Sequence, residues 1–239
     1  MRWWIIRTDW RGGKTGGSLA DPAEGRVRMK LWNRLMVIGT SGGGAAAAVP
    51  AMVGAVEHFN ANTDYDFALW QGLLGGPVGS CAVSTRFESY GEYTAAMQEM
   101  NARPETLAAV GSVTEALAGG PEDSVWNIIH AAGDTSEVPN TVANVINRFD
   151  MEQMPAAVAQ AIDFADFTHD LTGTPATVCT SIWGTGPTVR IIWGYSSVSD
   201  FEQQTESAMA SPAFAEKVAA NAGGPRPTES QTGVATRIA

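Results

Sequence analysis

The sequence predicts an α+β fold of two tandem ferredoxin-like βαββαβ repeats, and two observations lead to this prediction. The first is an internal repeat: residues 85–110 and 193–218 align without a gap, so that Phe87 meets Tyr195. The two segments are offset by 108 residues, a repeat that is too long for a solenoid unit and suits a small α+β domain. The second is the order of helix and strand patterns, which is the same in both halves.

The first half contains the pattern β-α-β-β-α-β. Its first helix has apolar residues at helical spacing, and its two middle strands flank a Gly-Gly-Pro turn. Ser89 and Glu92 have the spacing of a capping box, which marks the start of the second helix. The predicted elements are a strand at 35–39, a helix at 45–60, strands at 67–72 and 80–87, helices at 89–100 and 104–117, and a strand at 124–129.

The second half repeats this pattern with other loop lengths. Pro155 suits the first turn of its first helix, and Ser197 with Asp200 reproduces the capped start of its second helix. The pair Ser211-Pro212 restarts that helix as Pro104 does in the first half. The predicted elements are a strand at 144–149, a helix at 155–169, strands at 177–183 and 189–195, a helix from 197, and a strand at 233–238.

Strand residues with large apolar groups on both sides predict that both faces of each sheet are covered. The helices cover one face, so we expect the two sheets to pack on each other as a barrel. The predicted organisation is a basic, irregular arm at 1–33, a first repeat at 34–130, a linker at 131–143 and a second repeat at 144–239.

The composition limits the classes of protein that the chain fits. No window approaches the roughly 20 apolar residues of a membrane span, and no signal peptide is recognisable, so we expect no membrane association and a cytoplasmic location. The two cysteines, Cys81 and Cys179, fall at unmatched places in the repeats and are expected to be buried thiols. Three scattered histidines without ligand spacing disfavour a metal site.

The charge is divided unevenly along the chain. The chain has 15 basic and 25 acidic side chains, of which residues 1–34 hold eight basic and three acidic ones. The remaining residues therefore carry 7 basic and 22 acidic side chains, a net charge of −15. An acidic surface repels phosphate, so nucleic acid is not expected as a partner of the repeats. The basic arm is expected to be a solvated tail or a strap on the acidic surface.

Two matched segments then give the pattern a family resemblance. Phe87-Glu-Ser-Tyr-Gly-Glu-Tyr93 and Tyr195-Ser-Ser-Val-Ser-Asp-Phe201 share the form aromatic-x-Ser-x-x-acid-aromatic, and each precedes a helix and a proline step. In this respect residues 34–239 resemble the dimeric α/β barrel superfamily of antibiotic biosynthesis monooxygenase, NIPSNAP, EthD-like and chlorite dismutase proteins. The resemblance implies an intrachain version of the dimeric α/β barrel.

The resemblance also implies functions. Members include cofactor-free oxygenases of polycyclic phenols, which need an apolar cavity and polar groups that stabilise the substrate anion. On this basis we expect a monooxygenase or cyclase that acts on a small aromatic or polyketide-like substrate without a cofactor. The expected catalytic residues are Trp70, Arg86 and Asn60, and the expected substrate-binding residues are Trp183, Arg190, Trp193, His58 and His169.

Three alternatives stay open from sequence alone. The tryptophans on barrel strands are equally accounted for as core residues, and Arg86 as a solvated one. The chain is alternatively a barrel that binds an apolar ligand or haem without catalysis, with His58 or His169 as the haem ligand. The third alternative is an assembly protein, and a homodimer is compatible with any of these.

Overall fold

The computed structural model describes residues 29–39, 44–181 and 186–239. In this part of the chain the elements follow the order β-α-β-β-α-α-β twice. They are β1 (Lys30–Val37), α1 (Ala45–Asn62), β2 (Ala68–Leu74), β3 (Ser80–Phe87), α2 (Tyr90–Asn101), α3 (Pro104–Glu115), β4 (Glu122–Ala132), β5 (Thr141–Arg148), α4 (Met154–Thr172), β6 (Ala176–Ser181), β7 (Thr188–Tyr195), α5 (Val198–Ala210), α6 (Pro212–Asn221) and β8 (Glu229–Arg237).

The eight strands form one closed barrel in the order β1-β3-β2-β8-β5-β7-β6-β4. Each repeat contributes its strands in the order fourth, first, third, second, as β4-β1-β3-β2 and β8-β5-β7-β6. This is the strand order of a ferredoxin-like sheet. The predicted fold class, two ferredoxin-like repeats joined as an intrachain α/β barrel, is therefore confirmed.

The described residues divide into two compact units. The first contains the chain up to Trp70, Val78–Asp123 and Ile238–Ala239. Its helix α1 buries Ala48, Met52 and Val56, which recur every fourth residue and so lie on one stripe. Aromatic rings continue this core, because Tyr93 on α2 stacks on Phe87 of β3 at a centroid distance of 4.4 Å.

The second unit contains Gln71–Pro77 and Ser124–Arg237. Its core lies between α4 and strands β6 and β7. The helix buries Ala157, Ala161 and Ala165 at a spacing of four, and these small side chains let the helix approach Val178 and Ile191 closely. The helix ends at Gly173, whose φ of +75° is the left-handed C-cap conformation that favours glycine.

The helix starts agree with the sequence prediction, whereas several strand ends differ. β1 begins at Lys30 instead of Leu35, and β4 and β5 extend into the predicted linker, to Ala132 and from Thr141. The predicted turn at 40–43, residues 182–183 of the predicted sixth strand and the turn residues 184–185 lie outside the described residues. The residue limits of the arm, repeats and linker stay predictions.

Candidate functional site

A charged side chain lies in the middle of the sheet of the second unit. Arg190 on β7 is directly opposite Ile146 of β5 and Cys179 of β6. Its neighbours Val189 and Ile191 belong to the core that packs on α4. Because side chains alternate along a strand, Arg190 points to the other side of the sheet. We call this side, with Ile146, Cys179 and Arg190, the Arg190 face.

Arg190 is a partly buried cation without an acidic partner among the described residues. Its Nε atom is inaccessible to solvent and has no hydrogen-bond partner, and no ion pair joins Arg190 to another described residue. Desolvation lowers the pKa of Arg190 from its ordinary value, while the charge interaction with Cys179 opposes the shift. A guanidinium nevertheless stays protonated at physiological pH, so the face holds a positive charge.

An indole ring forms one wall of the site. The guanidinium carbon of Arg190 lies 5.5 Å from the ring centroid of Trp126, within the range of a cation–π interaction. Trp126 is 4% exposed, and its Nε1 donates a 3.0 Å hydrogen bond to Ser124 Oγ, which fixes the ring on β4. The next residue on this side of β4, Ile128, is opposite Cys179. The site is thus apolar apart from the cation.

A second guanidinium lies on the same face. Arg148 of β5 is opposite Thr188, two residues from Arg190 on β7, so both arginines point to one side of the sheet. The Arg148 Nε atom is buried without a hydrogen-bond partner among the described residues. Its Nη2 lies 3.1 Å from Oε2 of Glu229 on β8, and this end of the side chain is accessible to solvent.

The predicted residues of the second repeat are not brought together. Trp193 lies three residues from Arg190 and so on the opposite side of the sheet, where its Nε1 donates to Thr168 Oγ1 at 2.9 Å. Its ring also meets Phe164 edge to face, which makes it part of the helix-side core. Trp183 lies outside the described residues. Of Arg190 and Trp193, only Arg190 points away from the helix side of the sheet.

In the first repeat, two of the three predicted catalytic residues share a side of the sheet. Trp70 is buried and donates from Nε1 to Ser84 Oγ at 2.8 Å, and Arg86 lies two residues beyond Ser84 on β3. Asn60 is elsewhere, at the end of α1. Its amide donates to Phe67 O and its carbonyl accepts from Phe67 N, so both polar atoms tie the helix to the start of β2.

Neither predicted histidine has the surroundings of a haem ligand. His58 Nε2 is hydrogen-bonded to Thr106 Oγ1 at 2.8 Å, and its Nδ1 is within 3.5 Å of Asn62. His169 donates from Nδ1 to Thr174 O at 3.2 Å, and the other edge of its ring lies against Gly133, where even a Cβ atom would collide with it. A haem iron needs an open ring nitrogen, so these side chains do not fit it.

The cysteines, possible metal ligands and helix lengths of the described residues can also be compared with what the sequence predicts. Cys81 and Cys179 are buried and form no disulfide within the described residues, as expected from their unmatched positions. No group of three or more described His, Cys, Asp or Glu side chains could hold a metal ion. None of the helices in the described ranges combines the length and apolarity needed to cross a membrane.

Sequence reasoning did not identify Trp126, Cys179 or Arg148 as neighbours of Arg190. Alternation along each strand assigns every residue to one of two faces, which is a usable signal. The pairing register between strands decides which residues become neighbours, and no local pattern encodes it for strands as distant in sequence as β4 and β7.

Comparisons with known proteins agree with the fold. No family model matches the sequence, and no curated protein does. Among solved structures, a proposed monooxygenase from Fusobacterium nucleatum has a TM-score of 0.65 at 7% identity, covering 89% of this chain and 94% of its own. An anthrone oxidase-like protein has a TM-score of 0.61 at 10% identity, covering 90% and 93%. A proposed monooxygenase from Lactobacillus acidophilus has a TM-score of 0.54 at 12% identity, covering 88% and 94%.

The TM-scores establish a shared fold, whereas the low sequence identities leave the activity to be argued from the site. The chain has the dimeric α/β barrel fold, as the sequence resemblance implied.

Proposed function

We propose that the chain is a cofactor-independent monooxygenase that oxidises an aromatic or polyketide-like substrate at the Arg190 face. The single observation that carries this proposal is the Arg190 guanidinium over the Trp126 ring, with a buried Nε that has no hydrogen-bond partner and no acidic partner in the described part of the chain. Partial burial of a charge without an acidic partner is costly to stability, so its presence favours a function that requires it. The fold shared with proposed monooxygenases supports the same reaction type.

The residues of this face match what such a reaction requires. The substrate is a weak carbon or phenol acid whose anion reacts with O₂, so the protein has to stabilise a developing oxyanion. Arg190 supplies a fixed positive charge in a site of low polarity, where charge stabilisation is strongest. The buried ring of Trp126 holds the guanidinium through the cation–π contact, and the buried Cys179 and Ile128 make its surroundings apolar.

For anthrone, the reaction balances without a further reactant. The CH₂ group loses a proton to water, and the electron pair is delocalised onto the carbonyl oxygen that faces Arg190. The carbanion then reacts with O₂ to form a C–O bond, and the resulting peroxide anion takes a proton back from water. Loss of water from this hydroperoxide breaks the O–O bond and the second C–H bond. The products are the ketone and one water molecule, so the substrate supplies all the electrons that O₂ accepts.

Oxygen consumption tests the proposal. We expect the wild-type chain to consume O₂ and anthrone in equal amounts, and Arg190→Gln to lower kcat/KM by about 10²- to 10³-fold, as does the loss of one oxyanion donor in other enzymes. The matched control is Arg226→Gln, which should leave the rate unchanged. Arg226 is exposed, and it is the backbone N–H of this residue that donates a hydrogen bond to Gln153.

Stability measurements separate a functional from a structural role. Because Arg190→Gln removes a partly buried charge that has no acidic partner among the described residues, we expect its melting temperature to stay equal or to rise. Wild-type activity retained in a folded Arg190→Gln variant would contradict the proposed role of Arg190. No O₂ uptake by the wild type with anthrone and related quinols would contradict the proposed reaction and favour a ligand-binding barrel.

A further inference from the structure

We propose that the substrate of the Arg190 face carries a carboxylate in addition to its reacting oxygen, and that Arg148 is the specificity-determining residue that binds this carboxylate. The inference rests on the proposed function, because it concerns the substrate of the same site. It follows from the second guanidinium on that face and from the one acidic side chain that pairs with it.

The charges on this face do not balance. Arg148 and Arg190 lie on neighbouring strands in diagonal positions, which places their Cα atoms roughly 7–8 Å apart. The side chains between and beside them on the same face, from Ile146, Cys179, Ser181 and Thr188, are neutral. Glu229 is the acidic group that lies opposite Arg148 in the strand register. Two cations and one anion leave a net positive charge on this face, where the Nε atoms of both arginines are buried.

A ligand with two negative charges matches this arrangement. One charge is the oxyanion that develops during the reaction, and Arg190 stabilises it. The second is a carboxylate, whose two oxygens fit the planar fork of a guanidinium, and Arg148 has a buried Nε without a partner among the described residues. The separation of the two arginines places the carboxylate on a neighbouring ring or a short side chain of the aromatic system.

Glu229 occupies the position that the substrate carboxylate would take. It contacts Nη2 of Arg148 at 3.1 Å, while its side chain is 63% exposed and that of Arg148 is 37% exposed. Ion pairs with this degree of exposure are weak and exchange readily. The Glu229 carboxylate can turn to solvent and leave the guanidinium to the ligand. Arg148 is then paired with a carboxylate both in the free protein and in the complex with the ligand.

Equilibrium binding of two matched probes tests this inference. The probes are anthracene-2-carboxylate and its neutral analogue anthracene-2-carboxamide, measured by calorimetry at one ionic strength. We expect the carboxylate to bind about tenfold or more tightly, the gain typical of a charge-assisted hydrogen bond. Arg148→Gln should remove this preference by weakening carboxylate binding alone, and Arg148→Lys, which keeps the charge without the fork, should have an intermediate effect.

A change at the competing residue distinguishes binding from mere folding. Glu229→Gln removes the competing anion, so we expect carboxylate affinity to rise several-fold while carboxamide affinity does not change. Arg226→Gln again serves as the control and should change neither affinity. Equal affinities for the two probes, or carboxylate binding that is unaffected by Arg148→Gln, would overturn the inference.

The two proposals fail in different ways. A carboxylate preference that depends on Arg148, without O₂ uptake from any substrate, would support the carboxylate site and refute the oxygenase. Uptake of O₂ with anthrone and no carboxylate preference would support the oxygenase and refute the carboxylate site.

Discussion

Gly75, in the turn between β2 and β3, has a backbone conformation that excludes other residues. Its φ is +79°, in the region that L-residues rarely adopt. A Cβ atom there would lie 1.9 Å from the carbonyl oxygen of Thr232 on β8, and backbone atoms cannot move aside cheaply. Gly111 in α3 has the opposite surroundings, because nothing lies within 4 Å of the position that a Cβ atom would take. The two glycines therefore predict substitutions of opposite sign.

We expect Gly75→Ala to lower the free energy of unfolding by at least about 2 kcal/mol, since it combines strain at positive φ with a backbone clash. Gly111→Ala should raise it by about 0.5–1 kcal/mol, because alanine is the better helix former. Thermal unfolding measures both, at roughly 2–4 °C per kcal/mol for a chain of this size. A Gly75→Ala variant as stable as wild type would contradict the close approach of the turn to β8.

At the scale of single elements, the start of α5 is held by a reciprocal set of hydrogen bonds. Ser197 Oγ accepts from the Asp200 N–H at 3.1 Å, and Asp200 Oδ2 accepts from both N–H and Oγ of Ser196 at 3.0 Å. In α2, Ser89 Oγ accepts from the Glu92 N–H at 3.3 Å. The hydrogen bond to the serine Oγ is thus present in both repeats. Among the described residues, the hydrogen bonds to the carboxylate are seen at α5 and not at α2.

These bonds predict how stability changes with pH. The hydrogen bonds from Ser196 hold the pKa of Asp200 below its ordinary value of 3.8. Since the depressed pKa belongs to the folded state, the contribution of Asp200 is fully present above pH 3.8 and is lost as the pH falls through the folded value. We expect urea unfolding to show a stability difference between wild type and Asp200→Asn at pH 7 that shrinks toward pH 2.

The matched position in the first repeat is the control. Glu92→Gln changes a carboxylate in the same place of the capping sequence, but no side-chain hydrogen bond of Glu92 to another described residue is seen. We expect a smaller and less pH-dependent effect there. Ser197→Ala should cost about 1 kcal/mol at every pH, the usual contribution of an N-cap. A pH-independent Asp200→Asn effect would contradict the capping role of the carboxylate.

The elements differ in how well the sequence predicts their limits. The predicted N-caps of α2 and α5, Ser89 and Ser197, are correct and place each helix start within one residue, because a cap is a local interaction between residues three positions apart. The predicted end of β4 is not, because His130 and Ala131 are strand residues through their pairing with Val178 and Thr177 of β6. A strand extends as far as its partner does, and the partner lies about 50 positions away in this case.

At the scale of the whole molecule, the same reason limits prediction of the site. Residue type and a place on a hairpin strand are enough to select Arg190 from the sequence, and its buried Nε without a hydrogen-bond partner is the reason that we build the candidate site around it. Its role in binding a substrate stays a prediction. Alternation alone separates Arg190 from Trp193, which are an odd number of residues apart. Trp126 becomes its neighbour through the barrel order β7-β6-β4, which depends on long-range pairing. A homodimer, the role of the basic arm and the location in the cell stay predictions.

The pairing of β4 with β6 makes the two compact units differ from the two sequence repeats. By sequence β4 ends the first repeat, yet its residues from Ser124 onward belong to the second compact unit, and those from Asn127 to Ala132 pair with β6. A fragment limited to the first repeat therefore exposes one edge of β4. Unpaired strand edges are templates for association with further strands.

We expect a fragment of residues 29–132 to self-associate instead of forming a folded monomer, because β4 then lacks the backbone partners that β6 provides. Light scattering coupled to size exclusion measures this directly. Mixing with a fragment of residues 133–239, which supplies β6, should cover the edge and yield an equimolar complex with the circular dichroism of the intact chain. A fragment 29–132 that is monomeric, cooperatively folded and indifferent to the second fragment would show that β4 does not need β6, and the barrel order would then not be required for folding of the first repeat.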